Sequence, residues 1–510
     1  MPTVTLRHSL RRLFAYAFIA CVALGCARMS ASPTSTATAS ASHRDRPTHD
    51  GKVVLFGNLH AHSNLSDDVE VKLPEMVPDK AFDYARTHGL DFLALSDHHK
   101  AVDSQHRLFM DPAEYKTQLY EVAMKYNTDH AGEFVAIPAI EWGTEATGNH
   151  INAFGIKTLP PDTILDAHYD KFIEWTRTNA EFAQFNHPNS WKASSPRNTT
   201  VGNFGEALYP SSQAFKDAAD PVVRTVAIIQ SISGGHISGP LKHTEKKTHR
   251  EMQWENYYRY FLNLGFHIAP TADQDTHWKN FGTVTAARTA VWADSVSYAD
   301  LMKAFKANRV YATEDDEMAV VFQVKYMGKT YWMGETVPLE TDEAEVDLLV
   351  KVWQGAGSDG DPTDEGPYTV ELIVDADGMG GAEAAPYSQT WTAPSGQLLT
   401  IPFMAGRGRY LYVHVTEQNG KDNPYGDDTS ENDKVIGGKD ETTKRQNMND
   451  SAWTAPVWFG VAAAPTGTFV WSKNSNVYHD PNCWAVKNIG AANRREGSAP
   501  DGKTKHDCHP

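Results

Sequence analysis

Between residues 52 and 315, short apolar runs alternate with helical patterns, and nearly every run finishes in a histidine or an acid. Val53–Phe56 leads to His60 and His62. Phe92-Leu93-Ala94-Leu95-Ser96 ends in Asp97-His98-His99. Phe134–Ile140 ends in Glu141, and Ile151–Phe154 follows His150. Phe182–Phe185 ends in Asn186-His187. Phe266–Pro270 leads to Asp273, Asp275 and His277. Helical patterns over Pro78–Thr87, Pro112–Tyr126 and Glu251–Leu264 separate these runs. The alternation predicts an α/β fold with a parallel sheet and crossover helices. In a (β/α) barrel the C-terminal strand ends converge on one face.

The residue types at those ends constrain the chemistry. Alternate residues of an extended chain share a face, so His60 and His62 form a chelating arm. By itself such a pair is most often two surface histidines. A succession of strand ends, all carrying His, Asp or Glu, predicts a polynuclear site for borderline divalent ions. A carboxylate can span two ions where an imidazole cannot. The four cysteines are Cys21, Cys26, Cys483 and Cys508, all outside this region, so no thiol nucleophile serves it. No GxxxxGK[ST] phosphate loop is present.

The segments NLHAHS, GLDFLALSDHH, PAIEW, NHINAFG, FNHPNS and DQDTH, taken in order, resemble the motifs of the PHP (polymerase and histidinol phosphatase) superfamily. They are most similar to its secreted CehA/McbA-type metallohydrolases. The resemblance covers residues 52–315. It implies a distorted (β/α)7 barrel with two or three divalent ions, commonly Zn, Mn or Fe. It implies that His60, His62, Glu141 and Asp275 hold one ion. Glu141 would bridge to a second ion carried by His150 and His187. His98 and His277 would hold a third with Asp67. The family usually has Ser-Asp-Gly where this chain has Ser66-Asp67-Asp68. Glu141 and Asp275 are then the catalytic carboxylates, and Asp97 orients a ligand from behind. Asp273 is either such a brace or a plain loop residue. His267 reads as a core histidine. His236, in Ser-Gly-Gly-His, is a candidate substrate contact. Arg288 binds an anion or forms a structural ion pair.

The rest of the chain bounds location and partners. Arg7, Arg11 and Arg12 precede an apolar run, Leu13–Gly25, too short for a membrane span. Residues 1–26 read as a signal peptide. Ala23-Leu24-Gly25-Cys26 resembles a lipobox, which would tether the mature chain through a lipid on Cys26; ordinary cleavage is the alternative. Residues 27–51 read as a flexible linker. The expected location is the periplasm or cell envelope. The formal charge of -17 repels nucleic acid and anionic membrane. The expected partner is a small-molecule ester, with the oligomeric state open.

Beyond Thr313-Glu314-Asp315-Asp316, strand patterns separated by Gly, Pro and Asp turns replace helical periodicity. Residues 316–466 read as an all-β sandwich domain. Residues 467–510 form a short Cys/His-containing tail. Its Cys483 and Cys508 suit a disulfide in an exported protein. Alternatively they join His479 and a further histidine around zinc. The function expected is a metal-dependent hydrolase that uses a metal-activated water, with phosphoesters first. A carboxyl- or carbamate-ester hydrolase of the same fold is the alternative, and an inactive surface-tethered binding protein the rival from another class.

Overall fold

The computed structural model describes residues 46–66, 69, 73–99, 110–143, 150–161, 163–164, 168–186, 188, 213–232, 250–253, 255–282, 287–354, 366–375, 385–418, 451–461, 469–479, 483–497 and 503–505. Asp67, His187, His236, Cys508 and the leader with Cys26 lie outside them.

Among the described residues, nine strands carry the main sheet of the first half, with the short strands Thr48–His49 and Arg250–Gln253 added to it: β1 (Lys52–Asn58), β2 (Phe92–His99), β3 (Val135–Trp142), β4 (Ile151–Phe154), β5 (Phe182–Phe185), β6 (Val223–Ile232), β7 (Ala269–Asp273), β8 (Arg288–Ala293) and β9 (Val310–Thr313). They pair in the order β9-β8-β1-β2-β3-β4-β5-β6-β7. The expectation of a parallel sheet needs correction. β1–β2, β2–β3, β5–β6 and β6–β7 are parallel. β3–β4, β4–β5, β8–β1 and β8–β9 are antiparallel. The cause at β3–β4 is chain length: residues 143–150 are too few for the crossover that a parallel pair requires.

The connecting helices follow local rules. The helix Pro78–Thr87 begins with proline in its first turn and carries Asp79 near its start and Arg86 near its end. Its buried residues, Pro78, Ala81, Phe82 and Ala85, lie on one face. Gly89, at φ +91°, ends it in the left-handed region that glycine tolerates. The expected helix from Pro112 runs on to Asp129, with a π-helical stretch at Tyr115–Tyr120. The one expected over Glu251–Leu264 starts late. Arg250–Gln253 is a strand paired antiparallel with the C-terminal end of β6, and the helix is Glu255–Asn263.

All eight residues of β2 and of β3 are buried, as in central strands covered on both faces. Behind Glu141, Trp142 stacks on Phe172 of the helix Tyr169–Asn179, with ring centroids 4.2 Å apart. Gly57 lets β1 approach β2. A Cβ there would come within 2.4 Å of the Phe92 carbonyl oxygen.

The second half is β-rich: β10 (Met318–Tyr326), β11 (Lys329–Trp332), β12 (Thr336–Leu339), β13 (Glu343–Gln354), β14 (Tyr368–Val374), β15 (Ala385–Ala393), β16 (Leu398–Gly406), β17 (Tyr410–Glu417), β18 (Ser451–Thr454) and β19 (Val457–Val461). β11-β10-β13-β16 form a separate four-stranded sheet. The remainder joins the first-half sheet, because β18 pairs with β9 from Tyr311↔Thr454 to Thr313↔Ala452. The composition break near residue 316 is therefore not a break in the sheet. Trp292, Val320, Leu348 and Val413 share one hydrophobic cluster across it. The indole of Trp292 donates to the Val320 carbonyl at 2.8 Å.

The tail strands Phe469–Ser472, Val477–His479, Arg494–Gly497 and Thr504–Lys505 form a further sheet over Val470, Cys483 and Val486. Among the described residues no helix is long and apolar enough to cross a membrane.

Candidate metal centre

The chain leaves β1 at Asn58 in extended form, and Ala61 bridges Thr276. His60 and His62 thereby lie beside the segment that follows β7. The two Nε2 atoms are 3.2 Å apart. His60 Nε2 lies 2.9 Å from Glu141 Oε2 and 3.2 Å from Asp275 Oδ1. His62 Nε2 lies 3.3 Å from Glu141 Oε2 and 2.9 Å from Asp275 Oδ1. All four residues are buried.

Hydrogen bonding alone does not explain this set. A neutral imidazole carries one proton, yet each Nε2 faces two carboxylate oxygens and the other Nε2. Donor atoms bound to one ion at ~2.0–2.2 Å would stand roughly 2.8–3.6 Å apart, from octahedral to tetrahedral geometry. The spacings fall in that range, so this donor set fits a divalent ion.

Two further groups share members with the first. His98, Glu141 and His150 offer ligand atoms within 4.8 Å of one another, as do His62, His98 and His277. Glu141 divides its oxygens between two groups. Oε2 faces His60, His62 and His98, the last at 3.4 Å, while Oε1 lies 2.6 Å from His150 Nδ1. Burial works against the Glu141 carboxylate, but His60, His150 and His98 around it hold it well below the usual range. His277 Nδ1 donates to the Asp275 carbonyl at 2.8 Å, which leaves Nε2 with its lone pair. Asp275 itself has φ +46°, a left-handed conformation rare outside glycine, asparagine and aspartate.

The structure thus brings together His60, His62, His98, Glu141, His150, Asp275 and His277. Asp67 and His187 lie outside the described residues, as does His236. Asp97 accepts from the Ser63 amide at 2.5 Å and the Ser63 hydroxyl at 2.8 Å, fixing the turn just after His62. Arg288 is buried at the start of β8. It donates to the Ala287 carbonyl and faces Asp316 at 3.6 Å, the contacts of an ion pair. The reading of His267 as a core histidine is corrected. It precedes β7, is half-buried, and pairs with Asp220 at 3.1 Å. Cys483 is disulfide-bonded, with Sγ 3.4 Å from His479 Nδ1; Cys508 lies outside the described residues.

Several supporting residues escaped the sequence reading. Ser66 Oγ lies 3.2 Å from His62 Nδ1 and accepts from the His98 amide at 3.1 Å. Asn186 donates to Glu141 Oε1 at 3.2 Å and to Asn152 Oδ1 at 2.6 Å. Asn58 and Gln184 contact the segments that carry the ligands. All are uncharged, so a search for ligand types passes over them. Their only signal is adjacency to the histidine motifs.

The chain matches no protein-family model and no curated protein. Among solved structures it is similar to a two-domain protein from Bacteroides vulgatus described as containing a predicted PHP-like metal-dependent phosphoesterase. The identity is 14%, over 75% of this chain and 96% of that one, with a TM-score of 0.39. It is also similar to PsfC from Pseudomonas syringae, at 12% identity over 50% of this chain and 89% of that one, TM-score 0.29. A third likeness is to the lesion-specific endonuclease PfuEndoQ from Pyrococcus furiosus, at 13% identity over 50% of this chain and 56% of that one, TM-score 0.27. All three likenesses are loose, and the centre is defined by this chain's own donors.

Proposed function

We infer that the chain is a metal-dependent hydrolase of ester bonds, phosphoesters first, on the PHP scaffold its motifs resemble. The observation that carries this reading is the buried four-donor set of His60, His62, Glu141 and Asp275, spaced for one ion and adjoining two further groups. His98, His150 and the second oxygen of Glu141 would hold a neighbouring ion, and His277 contributes to the third group. Bound divalent ions would supply a water ionised near neutral pH and take up charge on the substrate's oxygens.

The chain's own residues do the rest. Glu141, held ionised, serves as a shared ligand rather than as a proton donor. Asp97 and Ser66 fix the turn that follows His62 against the end of β2 that carries His98, so the donors are oriented before substrate arrives. No serine or cysteine nucleophile is required. The arginine-rich apolar leader supports export to the cell envelope.

The test is metal analysis of the purified protein together with assays on para-nitrophenyl phosphate, bis-para-nitrophenyl phosphate and a carboxyl ester. We expect two or three ions per chain, turnover of a phosphoester, and loss of both in His60→Ala. Preferential turnover of the carboxyl ester would move the assignment to the other ester class. Bound metal without turnover of any ester would leave a binding protein. A chain that takes up no ion overturns the reading altogether.

A further inference from the structure

Three of the four donors in the first group come from two segments, 59–62 after β1 and 274–277 after β7. Between these segments the described pairing is one bridge, Ala61 to Thr276, and the His62 amide donates to the Thr276 carbonyl at 2.8 Å. A ladder this short does not fix two arms to the tolerance of a metal site. Side chains supply the remainder. Asn58 Oδ1, on the first arm, accepts from the Gln274 amide on the second at 3.1 Å and from the His60 amide at 3.1 Å. Asp273 Oδ1, on the second arm, accepts from the Leu59 amide on the first at 2.8 Å. The exchange is reciprocal, one acceptor given in each direction, immediately before the ligands on each arm.

The clasp is anchored behind. Asp273 Oδ2 accepts from Gln184 of β5 at 2.7 Å and from the Thr271 hydroxyl at 2.8 Å, and Oδ1 also accepts from the Thr289 hydroxyl of β8 at 3.2 Å. Asn58 and Asp273 are both fully buried, so water cannot replace either acceptor cheaply.

We propose that Asn58 and Asp273 are positioning residues, a two-way clasp that sets the separation of the His60–His62 arm from the Asp275 arm and so sets metal affinity. The proposal rests on the metal reading above and touches no ion itself. Residues that orient ligands from behind typically change metal affinity 10- to 100-fold when removed.

The experiment titrates metal-free full chain with Mn2+ and Zn2+ by calorimetry and follows thermal unfolding of the same metal-free samples. Asn58→Leu keeps the branched shape and heavy-atom count and deletes the acceptor, and Asp273→Ala deletes the other. Each is expected to weaken the tightest site by at least about tenfold. Asp273→Asn retains an oxygen for Leu59, while the Gln184 amide and the Thr271 hydroxyl can turn to suit it, so affinity should return to within about threefold of wild type. The double variant should lose little more than the worse single one, because either break opens the same clasp. Lowered metal-free stability with wild-type affinity in Asn58→Leu would reduce the pair to ordinary structural residues and overturn the proposal. Additive losses would overturn the two-way arrangement. Absence of metal binding in the wild type would instead remove the reading beneath it. Should Asp273→Ala fail to fold, Asn58→Leu decides the matter, since it removes no charge.

Discussion

Glu141 and Asp315 are carboxylates at or just beyond the ends of strands in the same sheet, and their surroundings push them in opposite directions. Glu141, in β3, is surrounded by the imidazoles of His60, His98 and His150, which hold it well below its usual range against the cost of burial. Asp315, just after β9, is pushed up to about 7 by burial and by the nearby carboxylates of Asp316 and Glu417. Its own hydrogen bonds, from the Glu317 and Met318 amides, oppose that shift without reversing it. One region is electrostatically built to keep an anion, and the other tolerates one only in part. Among the described residues, every group of side chains spaced to hold an ion includes imidazoles, and the Asp315 cluster is not one of them.

Four experiments would sharpen or break this contrast. The largest effect belongs to Glu141→Gln, which removes charge shared by two donor groups. Hydrolysis should fall by on the order of a thousandfold and bound metal per chain should drop, while Asp315→Asn keeps kcat/KM within about threefold. Equal losses in both variants would erase the distinction between the regions.

Next in size is metal removal. Chelation should lower the thermal midpoint of the wild type by roughly 5 °C or more, because ions that bind only the folded chain stabilise it by mass action. Adding back Mn2+ or Zn2+ should restore the midpoint. An unchanged midpoint would count against occupancy of the centre in the purified protein.

A smaller effect concerns pH. Asp315 binds its proton more tightly folded than unfolded, where a carboxyl titrates near 4. Its contribution is therefore complete below about pH 4 and is lost as pH rises through about 7. Thermal midpoints measured from pH 5.5 to 8.5 should fall with pH in the wild type. Asp315→Asn should flatten that slope and raise the midpoint at pH 8 by about 1–3 °C. A slope that the substitution leaves intact would assign the titration to another group.

The smallest effect comes from a third carboxylate. Asp294 is held low by hydrogen bonds from Lys303 and Lys52 and lies at the surface. Its pH dependence has the opposite sign to that of Asp315: stability present above about pH 4 and lost on acidification. Exposed pairs contribute little, so Lys303→Ala should move the midpoint at pH 7 by no more than about 1 °C.

The donors were readable because each is a chemically marked residue at the end of an apolar run. The strands Ile151–Phe154, Phe182–Phe185 and Tyr368–Val374 and the helix Pro78–Thr87 have the bounds that their sequence patterns suggest. Direction was harder to read. Nothing in Ile151–Phe154 says that it runs antiparallel to β3 and β5; the short connection before it supplies the first hint. The continuity of the sheet past residue 316 was hidden for a related reason. Composition changes there, but residues 451–454 return to extend the sheet at β9, a contact more than a hundred positions distant in sequence. Asp273 was ambiguous because a buried carboxylate that accepts four hydrogen bonds and one that binds a metal look alike in one dimension.

What the sequence determined by itself was the inventory: which donors exist, that they follow apolar runs, and that no thiol accompanies them. Local patterning and side-chain chemistry are written residue by residue, so they survive in a single string. What only the tertiary structure decided was the grouping. Glu141 faces two donor sets with its two oxygens, and Asn58 and Asp273 join the arms that carry His60, His62 and Asp275. The first relation spans 81 positions from His60 to Glu141 and the second more than two hundred, and distance along the chain carries no information about either.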